Sequence, residues 1–361
     1  MEEIRQTKTV KEILPYHKAK MYGNTIRNNR ISEYYLRLLV SGIVKKQLLP
    51  DEITKIKKRM ERLDGCNKFW TVETYEASHI KVLLRTFLCK DKFCCNCNQL
   101  KKLLLQKRFL PYLEKYKDSL YHMVLTVPNC NGKTLSNMIR KMTTSFKTLV
   151  TYLNGNKKIK GLDFSQYGYL GCLRSLEITY DGDNYHPHFH IAIVLNNEKS
   201  LQNKYIENEF SSHKNRLFSD FEITIQRIWW LLINGKRLTY ENISGDNKHL
   251  ERYSCILDIF HPTDYKKLFD YMTKAYSENR VPMTYENFKV LYYALNRIRQ
   301  IQGYGVFYNM KEPDMKTYTE SEYQILEDYL LCQEKPVISC ESLSNLTGKQ
   351  DYVILKRKYR L

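Results

Sequence analysis

The feature that most restricts the fold is a pair of apolar segments joined by a short polar link. Residues 172–180 and 187–195 are both rich in Leu, Ile and Val, and Asp181-Gly182-Asp183-Asn184 between them carries the Asp-Gly signal of a tight turn. An antiparallel hairpin is therefore predicted. Side chains alternate along a strand, so His188 and His190 project to one face while Phe189 turns to the other. Two imidazoles on one face supply half of a metal site. The facing strand carries Glu177 between Leu176 and Ile178, within reach of a cross-strand position beside the pair. A carboxylate there completes a facial set of three ligands and leaves positions open for substrate oxygens.

Charge narrows the partner. The 361 residues contain 58 Lys and Arg against 39 Asp and Glu, a formal +19, and such an imbalance calls for a polyanion. The positive charge is spread from Arg5 to Arg360, with no concentrated polybasic tail or basic amphipathic anchor. With 29 Tyr interleaved, nucleic acid is favoured over a lipid surface, because aromatics stack on bases while cations neutralise phosphates. An AT-rich coding sequence is the other source of so many Tyr and Lys. No apolar run approaches the roughly 18 residues of a membrane span; even 34–44 is broken by Arg37. The opening residues lack the apolar segment of a secretory signal, so a cytoplasmic protein without a membrane partner is expected.

Along the chain, residues 1–60 read as a helical accessory region, 61–117 as a Cys-rich module with a basic helix, 118–310 as the catalytic domain and 311–361 as a tail without a chemical motif. Within the third part a strand at 120–128 is stopped by Pro128. A helix over 134–153 ends at Asn154-Gly155, and 199–232 reads as helical. A further strand spans 253–260, a helix opens at Thr263 or Asp264 and runs to about 276, and 284–302 is helical until Gly303-Tyr304-Gly305 breaks it.

The Cys-rich stretch contains Cys66, Cys89, Cys94, Cys95 and Cys97. Cys94-x-x-Cys97 makes a metal knuckle, and Cys66 with Cys89 completes a tetrahedral thiolate site suited to structural Zn²⁺. Cys95 and His79 are competing ligands, and four free buried thiols are the plainer alternative. Cys130, Cys172, Cys255, Cys332 and Cys340 stand alone and are expected to be core or inert.

Taken in order, Leu125-Thr-Val-Pro-Asn129, Arg174-x-x-Glu177-Ile-Thr179 and His186-Pro-His-Phe-His190 resemble the plasmid rolling-circle replication initiators of the HUH endonuclease superfamily, over roughly residues 63–310. The resemblance implies an α+β fold: a central antiparallel sheet of about five strands, a palm like that of RNA-recognition domains, with flanking helices and the His strand at its centre. It implies a catalytic Mn²⁺ or Mg²⁺ on Glu177, His188 and His190, with His186 and Arg174 contacting DNA or supporting the site. The family's nucleophile is a tyrosine on a helix after a later strand, and Tyr271 with Lys274 matches the Tyr-x-x-Lys part of its pattern. Lys274 shares a helix face with Tyr271 and can stabilise the phenolate or the phosphate it attacks. The family's Glu four residues before the tyrosine is Lys267 here, which leaves the termination step open. The activity implied is nicking of one strand of single-stranded or extruded origin DNA, leaving a 5′-phosphotyrosine link. The free 3′-OH passes to a host DNA polymerase and, as no Walker-type Gly-rich loop is present, unwinding falls to a host helicase. A mobilisation relaxase or single-Tyr transposase uses the same chemistry, and a zinc-dependent nucleic-acid-binding regulator is the non-enzymatic alternative.

Overall fold

The computed structural model describes residues 10–12, 15–77, 79–196, 206–207, 216–245, 250–260, 283–310, 336–347 and 352–357. In chain order the elements are β1 (Val10–Glu12), α1 (Pro15–Val44), α2 (Pro50–Gly65), β2 (Phe69–Tyr75), β3 (Ile80–Thr86), α3 (Cys95–Lys115), β4 (Leu120–Thr126), α4 (Gly132–Leu153), β5 (Tyr169–Asp181), β6 (Asn184–Leu195), β7 (Ile206–Glu207), β8 (Leu217–Phe218), α5 (Asp220–Ile233), α6 (Tyr240–Ser244), β9 (Cys255–Ile259), α7 (Tyr285–Ala294), β10 (Ile301–Gly305), β11 (Val337–Ser342), α8 (Leu343–Thr347) and β12 (Val353–Arg357). They form two compact units, Met1–Lys101 with Glu312–Leu361, and Lys102–Lys311, so the boundary falls inside α3. Among the described residues no helix is long and apolar enough to cross a membrane.

In the first unit α1 and α2 pack together, burying Ile31, Tyr35, Leu38, Ile56 and Leu63. The spacing of the α1 residues is that of one helix stripe. The unit also contains a five-stranded sheet in the order β1-β12-β3-β2-β11, in which β12 and β3 are parallel and the other pairs antiparallel. Trp70, Val72 and Leu83 of its central hairpin pack with Leu343 and Leu346 of α8. The segment read as a tail thus supplies two strands and a helix to this unit, and the weakly periodic stretch after residue 63 contains the β2–β3 hairpin.

The second unit is built on an antiparallel sheet in the order β10-β5-β6-β4-β9, with β6 at its centre. This is the α+β architecture expected, a five-stranded antiparallel sheet with flanking helices. The β5–β6 hairpin turns at residues 181–184, with Asp181 opposite Asn184 and Gly182 at φ +55. Pro187 lies beyond the end of β4, whose ladder with β6 stops at Thr126 opposite His188, so its missing N–H costs no bond on that side.

One face of the sheet carries Leu125, Leu176, Phe189 and Ile191, all buried. Phe189 meets Phe146 of α4 at 5.6 Å and Trp229 of α5 at 6.0 Å between ring centroids. Helix α4 starts where Asn131 caps it, its side chain accepting from Thr134 N. Helix α5 starts at a capping box in which Ser219 and Glu222 satisfy each other's backbone N–H. The Trp229 indole donates to Thr126 O at 2.8 Å and pins α5 to the end of β4.

Two sequence expectations change here. Helix α7 ends at Ala294, and residues 301–305, expected to finish and break it, form edge strand β10 against β5. Gly305 sits at φ +57 opposite Gly171, and a Cβ on it would lie 2.3 Å from Leu170 O, so the glycines permit a backbone approach that side chains would block. Within 199–232, helix occupies Asp220 onward, preceded by β8; the described remainder contributes only β7. The helix expected over 263–276 lies outside the described residues.

Candidate metal centres

Among the described residues, two groups of side chains gather as metal ligands would. On the face of the central sheet opposite Phe189, Glu177 of β5 stands directly across from His188 of β6, and Ser175 across from His190. The register places the Glu177 carboxylate against both imidazoles: its Oε2 is 2.9 Å from His190 Nε2 and 3.5 Å from His188 Nε2. Neighbouring ligands of a six-coordinate ion with metal–ligand bonds near 2.1 Å lie ~3 Å apart, which the two carboxylate–imidazole separations approach. All three residues are buried, and their ligating atoms lie within 4.8 Å of one another. Burial pushes the Glu177 carboxyl up, but hydrogen bonds with His188 and His190 outweigh it and hold the group down to about 2. The set therefore presents a charged carboxylate.

Ring orientation is fixed from behind. His188 Nδ1–H donates to His186 O at 3.1 Å, which leaves Nε2 as its ligating nitrogen. His190 Nδ1 lies 3.0 Å from His122 Nε2 on β4. His186, nearer the turn, pairs through Nδ1 with Asn129 Oδ1 at 2.7 Å, and burial lowers its affinity for a proton. Arg174 occupies the opposite face. It is 1% exposed, its guanidinium lies 4.5 Å above the Phe189 ring, and it donates to Arg299 O at 3.0 Å. That position lies behind the strand bearing the histidines. His122 and Ser254, whose Oγ lies 2.7 Å from Thr126 Oγ1, were not singled out from sequence, and Asn129 entered only as the end of the Leu125–Asn129 run. The one available signal was a histidine in phase with Thr126 on an apolar strand, and its meaning depends on a register that only the folded sheet supplies.

The second group is Cys66, Cys89, Cys94 and Cys97, all buried and none in a disulfide. Their Sγ separations, 3.5 Å for Cys66 to Cys94, 3.7 Å for Cys66 to Cys97 and 3.6 Å for Cys89 to Cys97, match the ~3.8 Å edge of a tetrahedron with Zn–S bonds near 2.3 Å. Backbone N–H groups point at the sulfurs from Cys89, Lys90, Asp91 and Cys97, at 3.1–3.5 Å. Asn28 of α1 donates from Nδ2 to Cys94 Sγ at 3.2 Å and accepts from Cys95 N at 3.0 Å. Hydrogen bonds with Cys66 and Cys89 pull the Cys94 and Cys97 thiols down toward thiolate. Cys95 is outside the cluster, and His79 instead packs against Tyr352, the ring centroids 5.6 Å apart and the planes tilted by 53°, which leaves neither competing ligand in place. Of the isolated cysteines, Cys172 and Cys255 are buried, Cys130 is half-buried, Cys340 is exposed and Cys332 lies outside the described residues. Tyr271, Lys274 and Lys267 also lie outside them.

Residues 80–219, which span Cys89 to Cys97, Glu177 and all three histidines of the His motif, match the family described as replication protein. The chain is 28% identical over 155 residues to a protein named Protein rep from Staphylococcus aureus, an alignment covering 41% of this chain and 62% of the relative. Relatives of the same name from Bacillus sp and Streptococcus pneumoniae serotype 2 are 28% and 26% identical over 38% of this chain and 44% and 41% of their own lengths. The chain thus spans from about two fifths to just over three fifths of these relatives. No solved structure matches it. The resemblance read from the sequence is borne out.

Proposed function

We propose that this protein is a rolling-circle replication initiator that nicks one strand of origin DNA and holds the cut end through a phosphotyrosine. The observation that carries the reading is the Glu177–His188–His190 set on the β5–β6 hairpin, inside the stretch similar to replication proteins. A divalent ion bound there, Mn²⁺ or Mg²⁺, would draw charge off the nonbridging oxygens of a phosphodiester. Glu177 supplies the charge that attracts the ion, His188 and His190 the directional nitrogens, and the α4–α5 layer behind Phe189 the rigidity that keeps the three in register.

Tyr271 is the nucleophile in this reading. Its Oη forms a bond to phosphorus as the bond from phosphorus to O3′ breaks, and O3′ leaves as a hydroxyl after taking a proton. A free phenol ionises near 10, and a cation such as the Lys274 ammonium, three residues on in the sequence, is what lets it act at neutral pH in this reading. The bond energy is kept in the phosphotyrosine, so strand transfer to a second 3′-OH needs no ATP. A formal +19 suits a protein that holds single-stranded or extruded DNA, and a helicase and a polymerase of the host complete the cycle. The Cys66–Cys89–Cys94–Cys97 site takes structural Zn²⁺ in this reading, and the protein works in the cytoplasm.

The test is nicking of a supercoiled origin plasmid with Mn²⁺. Tyr271→Phe should abolish the covalent adduct while origin binding is retained. Nicking by Tyr271→Phe at the wild-type rate would overturn the nucleophile, and wild-type nicking by a Glu177→Ala, His188→Ala double variant would overturn the metal set.

A further inference from the structure

We propose that His122 is a positioning residue: it fixes the tautomer of His190 so that Nε2, and not Nδ1, is presented as a metal ligand. This rests on the reading of Glu177, His188 and His190 as a cation site.

Strand β4 runs antiparallel to β6 with Val124 opposite His190 and His122 opposite Ala192, so His122 and His190 share a face and sit diagonally across the ladder. Their rings lie 8° from parallel with centroids 5.2 Å apart, and His122 Nε2 is 3.0 Å from His190 Nδ1. A centroid separation that wide with so short an N···N distance is an edge-to-edge approach through one N–H···N bond. The Phe260 ring meets His122 at 5.9 Å and 89°, and its edge-on packing limits rotation of the imidazole.

A neutral imidazole has one N–H. When His190 Nε2, 2.9 Å from Glu177 Oε2, is taken up as a ligand, the proton must sit on Nδ1 and be donated to His122 Nε2. His122 then carries its own proton on Nδ1. His188 meets the same requirement differently, by donating to the backbone carbonyl of His186. One ligand is thus oriented by main chain, which no substitution removes, and the other by a replaceable side chain on the neighbouring strand. A partner of this kind is worth ~10–100-fold in metal affinity.

The experiment compares His122→Gln, whose side-chain carbonyl can accept in place of Nε2, with His122→Met, of similar length and no strong acceptor. Mn²⁺ binding to the full-length, zinc-loaded protein is followed by the electron paramagnetic resonance signal of the free ion, with His188→Ala as the ligand control. Met should weaken Mn²⁺ by ~10–100-fold and Gln should restore binding to within ~3-fold of wild type, at unchanged thermal midpoints. Met binding as tightly as wild type, or Gln as weak as Met, overturns the inference and leaves the cation reading standing. Wild-type protein that binds no Mn²⁺, or binds it equally well as His188→Ala, overturns both. Should His122→Met fail to fold, the ¹⁵N shifts of the wild-type imidazoles with Mg²⁺ decide: a proton on His122 Nδ1 is expected, and one on its Nε2 refutes the assignment.

Discussion

Replacing Cys94 by serine should weaken metal binding at the thiolate site and destabilise the first unit while leaving the second unchanged. Structural Zn²⁺ on four thiolates contributes an apparent ~10–16 kcal/mol at neutral pH, as large as the whole stability of a domain, about 5–15 kcal/mol. The site earns that range by its geometry: Sγ separations of 3.5–3.7 Å, with Cys94 Sγ also accepting from Asn28 and from Cys97 N. Losing one ligand of four removes about a quarter, ~3 kcal/mol or roughly two decades in affinity, and the hydrogen bonds to Cys94 Sγ go with it. The purified wild type should release one equivalent of zinc to a colorimetric chelator, and Cys94→Ser much less. Limited proteolysis read by mass spectrometry should then cut the variant faster than the wild type within 1–101 and 312–361, with the cleavage rate within 102–311 unchanged, as the division into two units predicts. A variant or chelated protein as protease-resistant in 1–101 as the wild type would refute the argument, because the four sulfurs would then be buried thiols held by packing alone.

Truncating Phe189 to Ala should cost ~4 kcal/mol, since a fully buried ring is lost together with its contacts to Phe146, Trp229 and the Arg174 guanidinium; chemical denaturation of the zinc-loaded protein measures it, and a loss below ~1 kcal/mol would show the helix layer to be loosely seated. Acid should destabilise the second unit through Glu177. Its carboxyl is held at about 2 in the folded state against an ordinary 4.5, so its stabilisation is complete above about 4.5 and is lost as pH falls through about 2. In protein freed of divalent ions, the denaturation free energy should fall across that window by at most ~3 kcal/mol, and Glu177→Gln should flatten the decline; an unaltered pH profile in that variant would remove the carboxylate–imidazole coupling.

The hairpin was legible because its information is local. An Asp-Gly turn, two apolar runs and a period of two determine that His188, His190 and Glu177 meet on one face, and the structure pairs Glu177 with His188 directly. The four clustered cysteines were legible for a similar reason, since three of them fall within nine residues and a knuckle constrains its own geometry. Arg174 shows where local reading stops. Its place in the motif suggested DNA contact or support of the site, and its parity sends it to the Phe189 face behind the histidines, which the motif lettering alone does not tell.

Some of the protein was decided only by tertiary structure. The mixed sheet of the first unit joins strands near residues 10, 70, 80, 340 and 355, and a strand that is stable only when paired announces little until its partner is known. The role of His122 likewise depends on the offset between β4 and β6, and the choice of Cys66 over Cys95 and His79 on how the loop after β3 closes against α1. The sequence by itself determined which chemistry is present, because residue type and short-range spacing set what a side chain can do. Which side chains share that chemistry was left to pairings across tens to hundreds of residues, where burial and register, not propensity, carry the free energy.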